Sequence, residues 1–122
     1  MSIEQLMIDA IDLHVHGAPK IVDGERRIDL LTLARQAKEA GMKAVVIKSN
    51  RFGTGPLTLE INQLVNSPIL VGSLVLNKEV GGLNPDVVEA QARAGAKVIW
   101  LPTFSAAVVY GIRSKSWARY FI

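Results

Sequence analysis

His14 and His16 are the only two histidines of the 122-residue chain, and they stand two apart in the run Asp12-Leu13-His14-Val15-His16-Gly17. At the end of a β-strand, residues i and i+2 point to one face, so both imidazoles can converge on one ion. Neutral imidazole ligates zinc, manganese, iron or nickel without a charge to neutralise. Asp12, two residues before His14, is expected to share its face and orient a ligand imidazole. Taken as an isolated His-x-His, the pair reads equally well as two satisfied polar residues near a strand end.

The surrounding pattern supplies the strand. Residues 7–16 alternate apolar and polar side chains toward their end, which predicts the first strand. Residues 28–40 place Ile28, Leu31, Leu33, Ala34, Ala37 and Ala40 along one helical face, between Asp29 near the start and Gly41 past the end. Lys43–Lys48 is a short β-branched run and predicts a second strand, followed by a helix from about Leu57 to Asn66. Ile69–Leu76 is apolar on both faces, as a covered parallel strand is. Asn84-Pro85 opens a helix that runs to about Ala94 and stops at Gly95, and Ala96–Leu101 is the fourth strand.

That order, βαβαβαβ with short connections, predicts an α/β fold with a parallel sheet, either doubly wound or part of a barrel. A complete (β/α)₈ barrel takes about 250 residues. Residues 1–122 are therefore expected to form a single, partial domain, half of a TIM (β/α)₈ barrel.

In such a barrel the strand ends line one mouth, which draws attention to Lys48, Asn50, Asn77 and Thr103. Lys48 would aim its ammonium there as a catalytic group, holding a substrate carboxylate or polarising a metal-bound group; the plainer reading is a lysine stem covering the rim. Asn50, Asn77 and Thr103 are expected to contact substrate, although Thr103 could equally cap the next helix. Gly81, Gly82 and Asn84 fit an anion nest, and fit ordinary turn and capping chemistry better.

Composition narrows the function classes. With no cysteine, disulfides and thiolate metal sites are excluded. The net charge of +3 is modest, and the basic excess in Arg113, Lys115 and Arg119 is no concentrated stripe, so no nucleic-acid partner is expected. No run reaches the roughly 20 apolar residues that span a bilayer, so no membrane partner is expected and the cytoplasm is the default location. A small molecule is the expected partner.

Asp12-Leu13-His14-Val15-His16-Gly17 resembles the opening signature of the amidohydrolase superfamily, in which an acidic residue and two histidines end the first barrel strand. Gly41–Lys48, Leu76–Pro85 and Gly95–Thr103 look like successive strand ends in a little-characterised group of predicted amidohydrolases, so the likeness spans about residues 8–105. The resemblance implies a divalent metal, zinc first, on His14 and His16, and hydrolysis of an amide, ester or related bond by metal-activated water. It also implies a histidine two residues after Lys48, where Asn50 stands, and a carboxylated lysine in some members where Leu101-Pro102-Thr103 stands. Histidines after strands five and six and an aspartate after strand eight would complete the site, and none falls within these residues. Asp23 and Glu79 are further candidate helpers.

Two other readings compete. The polymerase-and-histidinol-phosphatase type of phosphoesterase also opens with Asp-Leu-His-x-His, and Asp23-Gly24 resembles part of its next motif, but Lys48-Ser49-Asn50 stands where it would have an aspartate and histidine. A non-catalytic reading makes the chain a self-associating half barrel, a homo-oligomer whose open strand edges pair, with Val108, Val109, Trp117, Tyr120 and Phe121 serving assembly.

Overall fold

Each apolar run becomes a strand and each amphipathic run a helix in the computed structural model, which describes residues 1–17 and 28–106. In chain order the elements are α1 (Ile3–Met7), β1 (Ile11–Val15), α2 (Leu30–Glu39), β2 (Ala44–Ile47), α3 (Gly55–Leu64), β3 (Leu70–Val75), α4 (Pro85–Arg93) and β4 (Ala96–Trp100). A 3-10 turn, Lys78–Val80, lies between β3 and α4.

The strands form one sheet, all parallel, in the order β1-β2-β3-β4. A doubly wound sheet would step back across its first strand at a switch point. Unbroken stepping in one direction, with crossovers of one hand, instead puts every helix on one face and builds a barrel wall. The chain is thus α/β, with the strand and helix arrangement of half a (β/α)₈ barrel.

The helix-facing side of the sheet carries the core. Val45 and Ile47 of β2 and Leu70 of β3 are buried against Leu30, Ala34 and Ala37 of α2 and Ile61 of α3. Asp29 caps α2 by accepting the Thr32 N–H at 2.8 Å. Bare backbone lets α3 approach β3, since a Cβ on Gly72 would lie 2.5 Å from the Gly55 Cα. Asn62 of α3 then locks the pair, accepting from the Leu70 N–H at 2.9 Å and donating to the Leu70 carbonyl at 2.8 Å.

Residues 7–16 do not form one strand. Met7 closes α1, the chain turns through Asp9 at φ 60°, and β1 begins only at Ile11. The helix is set by a capping box: Ser2 Oγ accepts from the Gln5 N–H, and the Gln5 side chain accepts from the Ser2 N–H. Likewise α3 starts at Gly55 rather than Leu57, because Thr54 stands at its N-cap and Pro56 fits the first turn.

The outer strands leave apolar side chains exposed. Leu13 on β1 is 62% exposed, and beside β4 Leu101 is 75% exposed. Among the described residues no helix is long and apolar enough to cross a membrane. Asp23, Val108, Val109, Arg113, Lys115, Trp117, Arg119, Tyr120 and Phe121 lie outside the described residues.

Candidate functional site

Val15 aligns with Ile47 across the β1–β2 ladder and packs on the helix-side core. His14 and His16 flank it, so they face the opposite side, the side of Lys48. Their Nε2 atoms lie 3.0 Å apart, with ring centroids at 4.9 Å and planes at 62°. Two nitrogens each about 2.0–2.1 Å from one ion, at angles of 90–109°, stand about 2.9–3.4 Å apart. The pair therefore fits two adjacent positions on a single cation. Without one, the same contact serves as a hydrogen bond between neutral rings, its direction set by the tautomer. Among the described residues no third His, Asp or Glu joins them in a metal-holding group.

Asp12 acts on the main chain next to this pair. Its Oδ1 accepts from the His14 N–H at 2.9 Å, where the β1–β2 register shifts by one residue between Asp12 and Val15. The shift interrupts the alternation that would put Asp12 and His14 on one face, and the carboxylate steadies the backbone rather than a ring.

Lys48 and Trp100 close the cluster. The Trp100 ring, on β4, lies 5.6 Å from the ring of His14, on β1. In a flat sheet those strands would be three spacings, roughly 14 Å, apart. The contact is made by long side chains over a wall that curves toward this side. Lys48 Nζ stands 4.9 Å from the Trp100 centroid, a cation-π geometry. Lys48 is 8% exposed, and burial pushes its amine below the ordinary lysine range. Its ammonium has no acceptor among the described residues, and the buried Trp100 Nε1–H has none either.

Asn50, Asn77 and Thr103 do meet, as a clamp. Asn77 is fully buried at the end of β3. Its Nδ2 donates to the Asn50 carbonyl and to Thr103 Oγ1, each at 3.0 Å, while its Oδ1 accepts from the Thr103 N–H at 2.9 Å and the Ser105 N–H at 3.2 Å. Thr103 Oγ1 donates in turn to Asn50 Oδ1 at 3.2 Å. One amide thus ties the loops after β2, β3 and β4, and its bonding capacity is used inside the protein. Glu79 is also engaged: it pairs with Arg51, whose guanidinium lies 5.5 Å from the Phe104 ring. Asn84 caps α4, accepting from the Asp86 N–H at 2.9 Å, and Gly81 and Gly82 take the positive φ of a turn, 104° and 68°.

Residues 9–117 match a family of unknown function, DUF6282. The chain belongs to this family. Comparison with curated proteins and with solved structures gave no match.

In this DUF6282 chain the sequence pattern brought out His14, His16 and Lys48 but not Trp100 or Arg51. Trp100 ends a strand as a core aromatic would, and only the sheet's curvature brings it to β1. Arg51 reads as a loop charge until Glu79 and Phe104 arrive from the loops after β3 and β4. Its position beside Asn50, after a strand end, was the available signal.

Proposed function

We propose that these residues form the ligand-bearing half of a metal-dependent hydrolase of the amidohydrolase type, cleaving an amide, ester or related bond once a second half completes the site. The observation that carries it is the 3.0 Å approach of the two Nε2 atoms at the end of the first parallel strand. In this reading His14 and His16 hold a divalent cation, zinc before manganese, iron or nickel. Such a cation supplies Lewis acidity, polarising a carbonyl and making water more acidic. Asp12 keeps the His14 backbone in place, and Lys48 orients the substrate. Asn77 and Thr103 hold the mouth's loops in register around them.

The test is metal content. Protein purified without chelator is expected to carry close to one equivalent of zinc or manganese, and the His14→Ala, His16→Ala double variant none. A wild-type protein that comes out metal-free and takes up neither ion from solution defeats the proposal.

The open edges favour a second reading alongside the first. Leu13 and Leu101 leave apolar surface at opposite ends of the sheet, which calls for cover by another half barrel. A homo-oligomer of this chain would provide it, and light scattering at a mass near twice 13.2 kDa is the expected reading. A monodisperse monomer removes that part of the proposal.

A further inference from the structure

The side of the sheet that carries His14 and His16 also holds two donors with nothing to donate to among the described residues. Lys48 is largely buried as a residue, and its ammonium lies over the face of the Trp100 ring, an attraction that uses none of its three N–H bonds and leaves them to solvent or a ligand. The Trp100 Nε1–H is buried without an acceptor, which leaves its desolvation uncompensated. Native structures rarely leave such groups unanswered without water, an ion or a ligand to answer them.

No described carboxylate at this end is free to answer. Asp12 accepts from the His14 amide, and Glu79 is paired with Arg51. The cluster is therefore rich in donors and poor in acceptors, the complement of an anionic oxygen group. One ammonium and one neutral N–H match a single negative charge shared by two oxygens. A phosphate dianion usually draws on a helix N-terminus or a guanidinium fork as well. The only described guanidinium near the strand ends, Arg51, is committed to Glu79 and Phe104.

We propose that Lys48 and the Trp100 indole N–H form a carboxylate-binding subsite beside the His14–His16 pair, so that the substrate is a small carboxylic acid derivative. The Trp100 ring touches both Lys48 and His14, which brings the subsite within one small molecule's length of the imidazoles. The substrate role rests on the hydrolase reading, whereas anion binding at Lys48 and Trp100 stands without it.

The experiment follows the Trp100 indole resonance in ¹H–¹⁵N spectra of the metal-free full chain just above neutral pH, where imidazole is ordinarily neutral and an amine still holds its proton. The other indole, Trp117, is identified by Trp117→Phe. Sodium succinate, sodium acetate and sodium phosphate are titrated against a sodium chloride control. Succinate and acetate should move the Trp100 resonance saturably, with binding about tenfold or more weaker in Lys48→Met and retained in Lys48→Arg. Lys48→Gln serves in place of Lys48→Met should the latter lose its dispersed spectrum. The His14→Ala, His16→Ala variant should keep the carboxylate response, which separates this subsite from the metal proposal. No saturable shift, or a response unchanged without Lys48, overturns the subsite, and phosphate binding more tightly than succinate overturns its assignment to carboxylates.

Discussion

The Nε2 atoms of His14 and His16 face each other at 3.0 Å across a two-residue step of one strand, a spacing one cation can bridge. Neither ring could be replaced without halving the described donor set. At a zinc concentration 100 times its dissociation constant, the ion should therefore stabilise the protein by about 2.7 kcal/mol, seen as a rise of several degrees in Tm. Either His14→Ala or His16→Ala should abolish nearly all of that rise. The rise should also shrink in acid, because protonated imidazole cannot bind a metal. Single variants that keep the full zinc response would show that the pair does not act as one site.

Asn77 is the side chain on which the mouth's loops depend. Asn77→Ala removes two donors and an acceptor that serves two backbone amides, leaving the Thr103 and Ser105 N–H groups short of partners. The expected cost is about 2–3 kcal/mol, measured as a lower urea midpoint with an unchanged m-value. A midpoint equal to wild type would show that water replaces the clamp.

Much of the wall was legible from residue type, because β-branched runs and glycine stops act locally. Lys43–Lys48 and Ala96–Leu101 needed only their own neighbours to be read as strands. The first strand was overextended because α1 is only five residues long and its capping box is a quieter signal than the alternation after it. The clamp at Asn77 joins residues 26 to 28 apart, and the Trp100–His14 contact crosses the sheet from β4 to β1. Such contacts are fixed by curvature and register, which no local pattern encodes. The one-residue shift in β1 is of the same kind: Asp12 satisfies the His14 amide, and the shift breaks the alternation that would have put Asp12 on the face of His14.

The docking of α3 on β3 makes Gly72 a sharp test of the fold. An alanine methyl there would meet Gly55 Cα at 2.5 Å and Gly55 N at 2.9 Å, and neither backbone atom can swing aside. Gly72→Ala should therefore cost about 3 kcal/mol as α3 is pushed off the sheet. Gly82, where a Cβ would meet nothing within 4 Å and φ is 68°, is the control. Asparagine tolerates that conformation, so Gly82→Asn should change stability by less than about 0.5 kcal/mol. Equal effects of the two substitutions in thermal or urea unfolding would contradict the close packing.

Burial of Lys48 should leave its mark on stability at high pH. Its amine titrates below the ordinary 10.5 because the low-dielectric surroundings disfavour the charged form. Between the folded-state value and 10.5 the unfolded chain holds a proton that the folded chain has lost. The slope of unfolding free energy with pH is then positive, so this residue's penalty is full below its folded-state value and relieved as pH rises toward 10.5. Lys48→Met removes both the penalty and the cation-π contact, and at neutral pH should leave stability equal or raised by up to about 1 kcal/mol. The difference between variant and wild type should shrink as pH is raised, when both are unfolded in urea in chloride buffer free of carboxylate and phosphate. A difference that stays constant from neutral pH to pH 10.5 would mean that the Lys48 ammonium is as well solvated in the folded protein as in the unfolded chain.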